Sequence, residues 1–282
     1  MACVLIGAKV AFGATLQVEV TSRYAGEPLQ PGTLRYETSA GETFSVTRVS
    51  YLLSGFALQD NHGKWLELSN RFAWMDLDAG RSSFRIEDVP ASSYRSARFY
   101  CGLEPADNHA EAGKFPAGHP MNPNLNGLHW SWQGGYIFMA LEGMWRNANG
   151  SLDGWAYHLA RDTNRVCVNF AVELNFGETK QPENSPSPRP SPQGEGAASV
   201  LKLDLDFDVA AVLNAPRALS FGKDGSSTHS RDGDPVAAAL VANLPGAVVR
   251  REVSVHVVRR VGWKGILVGG HDQPRRRIVD AR

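Results

Sequence analysis

Val166-Cys167-Val168-Asn169-Phe170-Ala171-Val172-Glu173-Leu174-Asn175-Phe176 places an apolar side chain at every second position. Leu201-Lys202-Leu203-Asp204-Leu205-Asp206-Phe207-Asp208-Val209 repeats the pattern with a charge in every gap. Successive side chains of a strand point to opposite faces, so each run predicts a strand with one face on a core and one in water. Such a sheet must cover its apolar face with a second layer. Leu16, Val18 and Val20 alternate in the same way. Phe44 and Val46 alternate, and Val49, Tyr51 and Leu53 continue on the other parity; the phase slips again at Ser54-Gly55 before Phe56 and Leu58. A phase slip within a strand is the mark of a β-bulge. Asn61-His62-Gly63 reads as a turn with His62 solvated, and Trp65, Leu66 and Leu68 follow it. Helix is scarce. Asp234 as N-cap and Pro235 at the first helical position open one helix that runs to Leu244, and a short helical turn covers 209–213. The expected fold class is all-β, an antiparallel β-sandwich with few short helices.

With 282 residues, 43% of them hydrophobic, the chain can bury a sizeable core, and residues 15–250 are read as one domain. Residues 1–14 are small and apolar apart from Lys9. They are read as the remnant of an export signal without its basic start, the alternative being a first strand. The Pro/Ser/Gly tract in 177–198 cannot form a ladder and is read as a disordered insertion at a hairpin tip, the alternative being a proline-rich ligand for a partner domain. Residues 251–282 form a basic, partly disordered tail in which Val253, Val255 and Val257 could add a strand. The rest of the chain balances that charge, since the net charge is zero. A nearly neutral body with a short basic tail does not read as a nucleic-acid binder, which would show a basic face on the folded domain, and no apolar run reaches the length of a membrane span. Of the three cysteines, Cys101 and Cys167 either pair in an exported protein or stay as two buried thiols.

Chemistry concentrates in one window. Of eight histidines, His109, His119, His129 and His158 fall within it, among Trp130, Trp132, Tyr136, Trp155 and Tyr157. Neutral imidazole is the commonest protein ligand for copper and zinc. Separations of 10, 10 and 29 residues do not match a zinc finger but suit ligands gathered from different strands and loops. Each histidine also has a plain structural reading, in a loop for His119, stacked or capping for His129, satisfied beside a strand for His158. Trp130 and Trp132 share parity and Tyr136 starts a run apolar on both faces, so the three are read as an aromatic core motif, shielded from solvent. No Gly-x-Ser-x-Gly elbow and no telling pair of carboxylates is present, so the chain is read as a non-enzyme.

The run Gly127-Leu128-His129-Trp130-Ser131-Trp132-Gln133-Gly134-Gly135-Tyr136-Ile137-Phe138-Met139-Ala140-Leu141-Glu142-Gly143 resembles the signature of the MbnP family: Trp-x-Trp, Gly-Tyr, an apolar strand, Glu-Gly. The stretch 41–54, Val89-Pro90 through Tyr94, Phe99-Tyr100-Cys101-Gly102, Tyr157-His158-Leu159 and Ser227-Thr228-His229-Ser230 are also similar to this family. The resemblance spans about residues 15–248, interrupted by 177–198. It implies an exported bacterial protein, periplasmic or at the cell surface, with a β-sandwich-like fold and an association with copper. Some relatives bind one copper ion through histidines and a tryptophan oxidised to kynurenine, the oxidation being attributed to a di-haem peroxidase of the MauG type. By position, the resemblance implies His119 and His158 as ligands, His109 and His229 in reserve, and Trp74 as the tryptophan for oxidation. The chain departs from the copper pattern where Met75 and Asp76 follow Trp74 without a histidine, and where the first strand offers Tyr24. Two readings stand beside copper binding. One is a metal-free β-sandwich module that offers its tryptophans to a sugar or peptide. The other is a partner or substrate of a haem enzyme that keeps no metal.

Overall fold

The two alternating runs form strands in two different sheets, Val166–Asn175 and Val200–Asp208. The computed structural model describes residues 14–176 and 200–251. The export-signal remnant up to residue 13, the insertion and the tail strand at 253–257 lie outside the described residues.

The smaller sheet is built on Ala14–Tyr24. This strand pairs with Ser83–Val89 and Glu27–Pro28 antiparallel, and with Val200–Asp208 in parallel, Thr15 opposite Val200 through Arg23 opposite Asp208. The larger sheet runs Val166–Asn175, Ser93–Cys101, Arg48–Asp60, Gly135–Arg146, Leu152–Ala160 and the short edge Ser227–Thr228. Arg48–Asp60 is its axis: residues 48–51 pair with Gly135–Arg146, and residues 53–60 with Ser93–Cys101. Most ladders are antiparallel, as expected for the sandwich. The parallel ones are at the first strand and at the Ser227–Thr228 edge. The phase slip read at Ser54-Gly55 is a register shift between Ser54 and Ala57, and Gly55 takes φ +58.

The inner faces meet in one core. Leu16, Val18, Leu203, Leu205 and Phe207 pack with Leu53, Phe99, Val168, Val172 and Leu174, all buried. The helix Pro235–Ala247, with Asp234 accepting from the amides of Val236 and Ala237, and the turn Val209–Asn214 close one side of this core. The larger sheet is also covered on its outer face. Leu52, Trp74, Ile137, Phe138 and Ala140 pack under Leu103, Met121 and Leu128 in a second cluster. This double cover explains why Gly135–Leu141 is apolar on both faces and wholly buried. At Gly143 the chains approach closely: a Cβ there would lie 1.9 Å from the Ser45 carbonyl oxygen, which also accepts from Trp155 Nε1 at 2.9 Å.

Two expectations change. Cys101 and Cys167 are both free, one buried and one exposed. Cys101 faces Val166 and Cys167 faces Tyr100 across the ladder, so the thiols are one register step apart and point to opposite faces. Trp132 is not core. The chain leaves the two-residue strand His129–Trp130 in a tight turn, with Gly134 N–H donating back to Trp130 O, and Trp132 at its tip is 70% exposed. Parity arguments hold only within a strand, and the strand ends two residues too early. Tyr136 is buried as expected, its hydroxyl donating to Met121 O at 2.6 Å. Among the described residues no helix is long and apolar enough to cross a membrane.

Candidate metal centre

His158 stands on the outer face of Leu152–Ala160, opposite Ala140. Glu142 lies on the same face two residues along the neighbouring strand, a diagonal that long side chains bridge. His158 Nε2 meets Glu142 Oε1 at 2.9 Å, and Arg48 Nη1 donates to the same oxygen at 2.8 Å. The bond to His158 and the charge of Arg48 together hold the Glu142 carboxyl below its usual range. An ionised carboxylate accepts only, so Nε2 of a neutral His158 carries the proton and Nδ1 keeps its lone pair. Nδ1 is buried and has no hydrogen-bond partner among the described residues.

His229 is delivered by the short edge strand. Ser227–Thr228 pairs in parallel with Ala156–Tyr157, and Ser230, at φ +56, donates to His158 O while accepting from Ala160 N–H. The His229 and His158 rings then meet nearly at right angles, centroids 5.6 Å apart. Trp130 covers both, at 5.6 Å from His158 and 5.4 Å from His229, and Trp132 leans on Trp130 at 5.2 Å. His158 is largely shielded and His229 is open to solvent. A metal–nitrogen bond of about 2.0–2.1 Å would set an ion roughly 3 Å from each ring centre. A separation of 5.6 Å is within reach of one shared ion when a nitrogen of each ring turns toward it.

The other histidines are occupied elsewhere. His109 is exposed, with Nδ1 2.8 Å from Gly134 O and Nε2 2.9 Å from Asp162 Oδ2. Both partners are acceptors, and the Asp162 bond followed by the Gly134 carbonyl raises its pKa. It ties down the turn that carries Trp132. His119 stacks on Phe115 at 4.8 Å and lies 5.8 Å from Phe72, and its Nδ1 accepts from Met121 N–H. Burial lowers its pKa. His129 packs edge-on to Tyr136. Trp74 is buried, donates to Ser50 Oγ at 3.0 Å, and lies under the guanidinium of Arg81. Among the described residues no three histidine, cysteine, aspartate or glutamate side chains gather into one metal-binding group. The four histidines therefore do not form a single centre; the structure brings His158 and His229 together.

Glu142 was not singled out from the sequence. It stood in the sequence only as the Glu of the Glu-Gly pair that closes the family-like run, a carboxylate directly after the apolar stretch read as core.

The family model described as MbnP matches residues 13–228 of the chain. No curated protein matches it. Among solved structures the chain is similar to MbnP from Methylosinus trichosporium, at 16% identity and a TM-score of 0.51, with 80% of this chain and 86% of that chain covered. At that identity the likeness bears on the fold.

Proposed function

The chain belongs to the MbnP family, and from that premise we propose that it binds a copper ion as cargo on His158 and His229, without catalysis of its own. Family membership places it among exported bacterial proteins, periplasmic or at the cell surface. One observation carries the copper reading. His158 Nδ1 is a buried lone pair without a partner, on a ring whose other nitrogen is held by a carboxylate. Metal-ligating histidines are held in this way, with the far N–H fixed on a carboxylate and the near nitrogen free for the ion. Imidazole nitrogens suit copper above the other divalent first-row metals. The open side at His229 suits a protein that both takes up and releases its ion.

The test is copper titration of the purified protein. His158→Ala with His229→Ala is expected to abolish stoichiometric binding, and His109→Ala with His119→Ala to leave it intact. Full affinity in the first double variant would overturn the assignment.

The oxidised-tryptophan part of the reading is tested separately. Conversion of tryptophan to kynurenine adds about 4 Da. Intact mass after co-expression with a di-haem MauG-type peroxidase registers that change, and peptide mapping decides between Trp74 and Trp130, the indole that touches both imidazoles.

The exposure of Trp132 favours a second reading, an aromatic platform for a sugar or peptide. Saturable quenching of tryptophan fluorescence by such a ligand, lost in Trp132→Ala and unaffected by copper, would support it over the first.

A further inference from the structure

A cleft of about 430 Å³ opens on the larger sheet between the bulge at Ser54–Phe56 and residues 69–72. Arg98, Tyr100 and Arg165 line it as part of a stack of rings and cations. Arg98 lies over Trp65 at 4.7 Å and near Tyr100 at 5.8 Å, and Arg165 stacks on Tyr100 at 3.6 Å. Gly55 makes room for this stack: a Cβ there would lie 2.5 Å from Arg165 Nη2 and 2.9 Å from the Tyr100 ring. Bulges re-aim side chains beside functional sites, and a glycine inside a strand marks a close approach.

The cleft is balanced in charge, Arg71, Arg98 and Arg165 against Glu67, Glu104 and Asp107, but its hydrogen bonds are not all made. Glu67 pairs with Arg98, and Glu104 with Arg165 through Nη1 at 2.9 Å. Arg165 Nε and Nη2 have no hydrogen-bond partner among the described residues, and of the arginines with buried unpartnered nitrogens it alone leaves two. Nε and Nη2 share one edge of the planar guanidinium, the fork that holds a carboxylate through two parallel bonds. A buried donor left unmade is costly, and an absent ion is one of its recognised explanations. Asp107 also lines the cleft, and among the described residues its carboxylate has no hydrogen-bond or ion-pair partner. Arg165 thus brings an unused fork to the wall of the cleft, Asp107 an acceptor, and Leu68 and Phe72 apolar surface; the fork is buried beside Gly55, so a carboxylate gains it by turning the guanidinium toward the cleft. Its volume falls within the range of small-molecule sites.

We propose that this cleft binds a small carboxylate that also carries a donor, of the amino-acid class, with its carboxylate on the Nε–Nη2 edge of Arg165 and its ammonium toward Asp107. A site of this kind works independently of the imidazole pair.

The experiment is isothermal titration of the full chain with glycine, L-leucine, L-phenylalanine and L-leucinamide, the last lacking the carboxylate, at low ionic strength. At least one amino acid is expected to bind and leucinamide not to bind. Arg165→Lys keeps the charge and loses the fork, and is expected to weaken binding by about tenfold or more. Asp107→Asn is expected to weaken it as well, with an unchanged melting temperature showing that the variant folds. His158→Ala is expected to leave binding unaltered, which separates this site from the copper reading. Silence from all three amino acids, equal affinity for leucinamide, or unchanged affinity in both variants would overturn the proposal.

Discussion

Glu142 decides what His158 can do. With its oxygen shared between Arg48 and His158 Nε2, it orients the ring and leaves Nδ1 bare. Glu142→Gln keeps the shape and removes the charge, and is expected to lower copper affinity about 10–100-fold, as loss of an outer carboxylate does elsewhere; competition against a copper chelator measures it. His109 supplies a pH test. Its folded pKa is raised, so its contribution to stability is complete below the unfolded histidine value of about 6.5 and is lost as pH rises through the folded value. Asp162 is lowered chiefly by bonds from Asn108 and His109, burial opposing them, so its share is present above about 3.9 and fades as pH falls through its folded value. The melting temperature of the parent relative to His109→Gln is therefore expected to be highest between these limits and to converge above them; solvent exposure of the ring keeps the effect small. A difference that grows with pH above neutrality would contradict the geometry. At this scale the sequence was only partly legible. The imidazole window was visible, but which two rings meet depends on an edge strand at Ser227–Thr228, about seventy residues further along, and no spacing rule reports that. Trp132 misled because its parity with Trp130 means nothing once the turn at residues 131–134 intervenes.

The elements were easier to read, since period and punctuation are local. The alternation of 166–176 and 201–209, the slip at Ser54-Gly55 and the Asp234-Pro235 helix start all reappear in the fold. What stayed hidden was which strand lies beside which: Cys101 and Cys167 sit on adjacent strands, yet register sends them to opposite faces. Two substitutions test how elements hold one another. Gly143→Ala forces a methyl against the Ser45 carbonyl and is expected to cost about 3 kcal/mol, read from urea unfolding, because backbone cannot yield as a side-chain tip can. Asp234→Ala removes the N-cap and is expected to cost about 1 kcal/mol. Asp234 also accepts from Thr228 Oγ1, so the same variant is expected to loosen the edge that carries His229 and to weaken copper binding, whereas a cap acting on the helix alone would leave affinity unchanged.

The whole molecule is closed by its most distant pairing. Leu16, Val18 and Val20 bury their side chains in the same core as Leu201, Leu203 and Leu205, and the two strands lie side by side from Thr15–Val200 to Arg23–Asp208. A chain ending before Val200 keeps almost every strand of the larger sheet but leaves that core open, and is expected to show no cooperative thermal transition by circular dichroism. A sharp transition would mean that the larger sheet and its outer cover fold alone. The fold class was legible because a sandwich needs only half-buried strands; the parallel closure was not, since alternation is the same whichever way a strand runs. Contacts this far apart in sequence form late, because their loop must be closed before they reward it. A polypeptide that emerges amino end first therefore cannot lock until the strand at Val200–Asp208 has been delivered. For a protein whose family works outside the cytoplasm, such a delay would keep the thread pliable during passage and let it set on the far side.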